Sequence, residues 1–328
     1  MELQSIMLQD LIYDIKSYPG ITRKRDISKI TSSLADMVNF GNTAIGFGDD
    51  AAAIYHNGEY LLFAADGIWS GLIEANPYGA GKASVMASVN DIYAMGGRPL
   101  AMVNVLGIPD ASYYDEIVRG IRKGCEKFRV PMVGGHLHPD TREAALSVAI
   151  LGVAKKLLRS DNAMPGQDLI FAVDLEGRGF QCKPVLSWDT NSGKTSEQAL
   201  ARLNILPLLA EEERCATCKD VSNGGLLGTI ALLLETSKVG AIVNIDTVPR
   251  PAEFPLTDWL KAFLSYGFIL TVNKELTAEV IHAFSQQRIT AVVIGTITAE
   301  RCLRVSLAGE QGILFDLVRE PVTGIIVD

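Results

Sequence analysis

The chain has 328 residues, 48% of them hydrophobic and 21% charged, which is ample material for about two packed domains and leaves little room for disorder. A formal net charge of −8 argues against a nucleic-acid surface, because duplex affinity comes mainly from cations that neutralise phosphates, and Arg23-Lys24-Arg25 is too short a basic run to line a groove. Five scattered cysteines (Cys125, Cys182, Cys215, Cys218, Cys302), no apolar run of bilayer length and no apolar signal core at the start give the expectation of a soluble, cytoplasmic chain with reduced thiols and no membrane partner.

Residues 1–40 read as one or two amphipathic helices around a break at Pro19-Gly20. Leu61–Ala65 is a short apolar run and predicts a strand. Ala80–Met95 has helical spacing, with Val85, Val89 and Ile92 on one face. Strand Ala101–Leu106, helix Tyr113–Phe128, a strand at Met132–Val133 and strand Ala144–Val153 follow. The charged, turn-rich passage from Lys155 to Gly166 is the expected seam between domains. Beyond it come strand Leu169–Val173, helix Ser196–Glu213, a strand near Thr217–Val221, helix Leu226–Ser237 and strand Ala241–Ile245. Helix Thr257–Leu264, strand Phe268–Val272, helix Thr277–Gln286 and strands Ala291–Ile297 and Leu303–Leu307 complete the chain. Interleaved strands and helices in two halves predict a mixed α/β or α+β chain, divided as 1–40, 41–160 and 161–328.

Two motifs invite a functional reading that their details refuse. Gly79-Ala80-Gly81-Lys82 resembles part of a phosphate-binding loop, but position 76 is Asn and Ala83 follows the lysine. The opening glycine and the magnesium-binding hydroxyl of that motif are therefore missing, and the stretch reads as a helix start. Cys215-Ala216-Thr217-Cys218 has metal-like spacing without a second pair, so two buried structural thiols are expected.

The informative feature is a set of aspartates beside small residues: Asp49 and Asp50 in GDDAA, Asp66 in AADG, Asp91 in SVND, and Asp220 in DVSNGG. Any one of them alone is an ordinary cap or turn residue. Carboxylates repel a triphosphate, yet several together hold it through Mg²⁺, which takes carboxylate oxygens and completes its shell with phosphate oxygens. Neighbouring Gly and Ala let phosphate and metal approach the backbone.

GDDAA, a strand ending in AAD, ASVNDIYAMGGRPLA, VGGH, LSVAILG and DVSNGG follow in the order and spacing of a known group. The chain resembles the superfamily of AIR synthetase, selenophosphate synthetase and thiamine-monophosphate kinase over residues 40 to 300, and NDIYAMGG and VGGH are especially similar to selenophosphate synthetase. The resemblance implies a two-domain α+β fold whose N-terminal half pairs with its twin into an intersubunit β-barrel, hence a homodimer, with a C-terminal α/β half and nucleotide in the cleft between halves. It also implies ATP and Mg²⁺ as cofactors, with Asp50, Asp66, Asp91 and Asp220 on the metal. Asp49, Asn90, Gly135 and Asn223 join Asp50, Asp66, Asp91 and Asp220 as nucleotide contacts, and His136 and Asp50 are the catalytic candidates.

The chain departs from each named relative. No cysteine precedes Cys125, which argues against the usual selenide chemistry, although Arg23 and Lys24 remain placed to close over phosphates. His136 stands where a thiamine-monophosphate kinase has an acidic residue. His136, His138 and Asp140 are expected in one short loop suited to metal binding or proton transfer. Ser187–Thr195, polar with a single Trp188, is the candidate lid. The leading expectation is an ATP-dependent kinase or synthetase acting on an unknown small molecule. The alternatives are a non-catalytic nucleotide-binding assembly or maturation factor, and a metal-dependent hydrolase centred on the two histidines.

Overall fold

The computed structural model describes residues 7–109, 113–182 and 185–325. The first half is one six-stranded sheet made of β1 (Thr43–Ile45), β2 (Ala52–His56), β3 (Glu59–Ile68), β4 (Arg98–Gly107), β5 (Met132–His138) and β6 (Ala145–Ala154), in the order β1-β2-β3-β6-β4-β5. All pairs are antiparallel except β4 with β5. Strict alternation in β6, where Leu146, Val148, Ile150 and Ala154 are buried and their neighbours are not, shows one face packed and one face bare.

Preceding this sheet are α1 (Leu8–Ser17), α2 (Pro19–Thr22) and α3 (Ile27–Thr31); on its packed face lie α4 (Ser70–Ala75), α5 (Pro77–Ala94) and α6 (Tyr114–Phe128). Pro77 opens α5 and the Asn76 side chain accepts the Gly79 amide at 2.9 Å, an N-cap that sets the helix start five residues ahead of Lys82. α5 is buried nearly all round, which its run of Ala, Ser and Gly permits. A β-carbon on Gly81 would stand 2.2 Å from the Ile117 carbonyl, so the second glycine of the loop-like GAGK motif serves the close crossing of α5 and α6.

The second half is built on a seven-stranded sheet of order β10-β13-β7-β14-β11-β15-β16 and a three-stranded one of order β12-β9-β8. The strands are β7 (Asp168–Val173), β8 (Arg178–Cys182), β9 (Val185–Asp189), β10 (Thr217–Asp220), β11 (Gly240–Asn244), β12 (Phe263–Leu264), β13 (Gly267–Val272), β14 (Thr290–Thr298), β15 (Cys302–Leu307) and β16 (Glu310–Asp316). Its helices are α7 (Ser196–Leu203), α8 (Ile205–Glu211), α9 (Gly225–Ser237), α10 (Leu256–Trp259) and α11 (Thr277–Gln286). The fold is α+β, as expected, with two layered halves. One core runs from the first sheet through α5 and α8 onto Ile170, Ala172 and Phe268 of the second sheet. A second core lies on the far side of that sheet and includes Leu8, Leu11, Ile12 and Ile15 of α1.

The expected break holds: α1 ends at Ser17, Tyr18 is extended, and Pro19 starts α2, where its missing amide costs nothing. Several expectations are corrected. The expected helix 257–264 stops at Trp259, because Phe263-Leu264 pairs in parallel with Ser187-Trp188 as a strand. The histidines at 136 and 138 lie in β5, not in a loop. Ser187–Asp189 is strand as well, and Trp188 is 2% exposed, donating its indole N–H to the Asp174 carbonyl at 2.9 Å. The lid reading fails on this anchor. Lys194 closes the same segment with an ion pair to Asp174 at 2.8 Å.

Candidate functional site

A cleft of about 750 Å³ lies between the halves, lined by α5, the turn before β2, the end of β10 and the segment around Lys24. That volume is in the range of small-molecule sites. At one end the strand and helix termini deliver their aspartates to one point. Asp50 ends the turn before β2, Asp91 sits in the last turn of α5, and Asp220 ends β10. A carboxylate oxygen from each of the three lies within 4.8 Å of the others. Asp66 of β3 joins by sharing a hydrogen bond with Asp91. Asp50 also accepts the Asp220 amide at 3.2 Å and the Lys219 ammonium.

The charges do not balance. Burial, then Asp66, Asp220 and Asp50, push the Asp91 carboxyl well above the usual carboxylate range. Asp220 rises by burial and by Asp50, and Asp66 rises by burial. Burial would lower Lys219, but Asp50 and Asp49 outweigh it and hold its ammonium above the ordinary lysine range. Lys24 is lowered by burial and by the nearby Lys219 and Arg23. Carboxyls this close oppose one another's charge, and a cation between them relieves that opposition. Three hard oxygen donors within reach of one point, with surplus negative charge, fit a divalent ion such as Mg²⁺.

The other candidate residues divide. Asn223 and Asp49 line the cleft. The Asp49 carboxylate, however, accepts the Ser160 amide at 2.8 Å and its hydroxyl, and lies 3.9 Å from Lys219; it braces the seam between halves. Burial and the Asp50 charge raise it to about 6, against the pull of Lys219 and Ser160. Asn90 is fully buried beside the cleft and donates to the Ser265 carbonyl at 3.3 Å, so it ties α5 to the second half.

The register of the first sheet places Gly135 and His136. Asp66, Val148, Asn104 and Gly135 form one cross-strand row, and Gly67, Ser147, Val105 and His136 form the next. Adjacent rows face opposite sides. Gly135 therefore shares the aspartate side three strands over from β3, whereas His136 points to the bare side with Val105. Its ring stacks edge-on against His138 at 4.5 Å. Within one chain His136 is not brought to the aspartates, and the expected loop of His136, His138 and Asp140 does not form a metal cluster among the described residues.

Lys219 was not singled out from the sequence, although its place before Asp220 in the KDVSNGG run is a usable signal. Lys127 and Arg178, which also line the cleft, carry no such signal. Cys215 and Cys218 are buried free thiols as expected, Cys215 pushed up to about 12 by burial; the Cys182 side chain lies outside those described.

Comparisons with known proteins bear on the family and the fold. Family models described as AIR synthase related protein, N-terminal domain, and AIR synthase related protein, C-terminal domain, match residues 48–154 and 175–308. An uncharacterised protein of Methanocaldococcus jannaschii is 39% identical over 322 residues, covering 97% of this chain and 99% of that one. The thiamine-monophosphate kinase of Pyrococcus horikoshii is 36% identical over 258 residues, covering 72% and 79%. Among solved structures, T. maritima PurL complexed with AMPPCP superposes with a TM-score of 0.74 at 17% identity over 98% of this chain. The alignment spans 53% of that PurL chain, about half its length, and shows the fold alone.

Proposed function

Because this chain belongs to the AIR synthase-related family, we propose that it is an ATP-dependent phosphotransferase or synthetase whose triphosphate lies at the aspartate end of the cleft. One observation carries the reading: the convergence of Asp50, Asp91 and Asp220, with Asp66 behind them and Lys24 and Lys219 beside them. The Pyrococcus relative named as a kinase supports it. Asp50, Asp91 and Asp220 would hold Mg²⁺, which when bound neutralises phosphate oxygens and fixes their orientation. Lys219 pairs with Asp50, and Lys24, which also lines the cleft, would meet the outer phosphate oxygens. Catalysis here is positional and electrostatic.

The reading includes a homodimer through the bare side of the first sheet. Ile54, Phe63, Val103 and Val105 stand 39%, 54%, 41% and 46% exposed on that side, large apolar side chains gathered on one face of the sheet. His136 would then sit in the subunit interface and belong to assembly.

Manganese with a non-hydrolysable ATP analogue in crystals tests the site. Anomalous density between Asp50, Asp91 and Asp220, touching the analogue's phosphates, is the expected result; nucleotide elsewhere in the cleft overturns it.

A further inference from the structure

α9 ends in a residue that its position does not favour. Glu235 is 7% exposed in the last turn of the helix, where the carbonyl ends already carry partial negative charge. A buried carboxylate needs partners, and among the described residues those of Glu235 are a stretch of backbone and one hydroxyl rather than a cation. It accepts the amides of Val322, Thr323 at 3.1 Å and Gly324 at 2.7 Å, and the Thr323 hydroxyl at 2.6 Å. That hydroxyl in turn accepts the Ile325 amide at 3.2 Å. Consecutive residues thus wrap one carboxylate.

The wrapped strap stands at the cleft. Thr323 and Ile325 line it together with Ile27 and Thr31 of α3 and Leu232 and Thr236 of α9, whereas Glu235 lies behind the wall. Gly324 has φ +69°, which suits glycine, and a β-carbon on it would lie 3.3 Å from Ser28, so the strap sits flush on α3. α3 follows directly on the short helical turn Arg23–Asp26, which carries Lys24 over the aspartates. Contacts therefore lead from Glu235 through Gly324 and Ser28 to the Lys24 segment. The next residue of α9 steadies the aspartate turn from the same place, Thr236 donating to the Gly48 carbonyl at 3.3 Å.

We propose that Glu235 is a positioning residue for the nucleotide site: by gripping Val322–Gly324 it seats that strap against Ser28 and so holds Lys24 over the aspartates. The charge supplies the grip. An ionised carboxylate accepts all of these hydrogen bonds, whereas a glutamine would turn N–H donors towards N–H donors. Without the strap the carboxylate would be buried and unpaired, which strongly favours the docked arrangement. That Lys24 meets phosphate rests on the proposed ATP site; the seating of its segment does not.

Hydrogen exchange and calorimetry together test the proposal. In the ligand-free protein, Glu235→Gln should speed exchange at the Val322, Thr323 and Gly324 amides by at least about tenfold, and exchange across residues 23–31 should quicken with it. Mg²⁺–AMPPCP should bind about tenfold more weakly to Glu235→Gln and to Lys24→Met. The double variant should match Lys24→Met within about twofold, because both changes act through one ammonium. Thr323→Ser should behave as the parent and Thr323→Val should fall between, a series that keeps the charge and decides the matter if Glu235→Gln does not fold. A double variant weakened by about a hundredfold would make Glu235 a stabilising residue only and overturn the proposal. Fast exchange confined to residues 322–324, or exchange unchanged throughout, would overturn it as well. A parent that fails to bind AMPPCP sinks the ATP reading; the seating then stands or falls on exchange at residues 23–31.

Discussion

The backbone carbonyl of Asn223 lies 1.9 Å from where a β-carbon on Gly20 would stand. That approach lets α2 press directly on the loop after Asp220, and it carries Lys24, four residues on, over the aspartates. Gly20→Ala must push the two segments apart. The expected result is a loss of about 1–3 kcal/mol of stability from the steric shift, read by urea unfolding. Mg²⁺–ATP should bind about tenfold more weakly, because Lys24 is displaced. Unchanged affinity would mean that Lys24 does not touch the nucleotide.

Removing one carboxylate should separate stability from function. Asp91→Asn deletes a buried charge whose neighbours oppose it, so the metal-free protein should melt higher than the parent at about pH 8. The same variant should lose most of the thermal shift that Mg²⁺–ATP gives the parent. A variant less stable than the parent without metal would show that Asp91 is held by a partner the charge count misses.

The pH dependence has a defined sign. Asp49, Asp66, Asp91 and Asp220 all have folded pKa values above the ordinary 3.8. The folded state then binds more protons than the unfolded one, and stability falls as pH rises, for Asp49 between 3.8 and about 6. Lys24, lowered from 10.5, slopes the other way in a window ending at that value. Melting in EDTA should therefore decline from about pH 5 to pH 7, and Mg²⁺ should flatten the decline by stabilising the ionised carboxylates. A melting temperature that rises over this range in EDTA would contradict the charge imbalance.

Phe63→Lys places a charge in the middle of the bare sheet face without entering the packed core. Sedimentation should find the parent dimeric at micromolar concentration and the variant monomeric, with its melting little changed, since burying an unpaired ammonium costs several kcal/mol. A monomeric parent would remove the dimer. His136→Ala, on the same face, should leave Mg²⁺–ATP affinity within about twofold whatever it does to assembly.

The aspartates were legible because each sits in a short motif whose small neighbours, order and spacing survive as sequence. Lys219 was one residue from such a motif and still escaped, since a lysine in a strand reads as surface until its partner Asp50, 169 residues away, is in place. His136 misled for a related reason. The apolar pair Met132–Val133 signals only the start of a strand that runs on through Gly134-Gly135 to His138, and that extension sets the side of the sheet on which each residue falls. Trp188 looked like a loop aromatic because its cage, Phe254 and Trp259, arrives from a distant segment at ring distances of 5.8 and 5.6 Å. Helices α5 and α11 were read well because their composition and spacing are local properties.

The central claim is that the aspartates tolerate a triphosphate only through a divalent ion. Calorimetry of ATP with the parent protein, in Mg²⁺ and then in EDTA, tests it directly. The account predicts binding in Mg²⁺ and at least about hundredfold weaker binding in EDTA, since buried carboxylates then face phosphate unscreened. Equal affinity in the two buffers would contradict it.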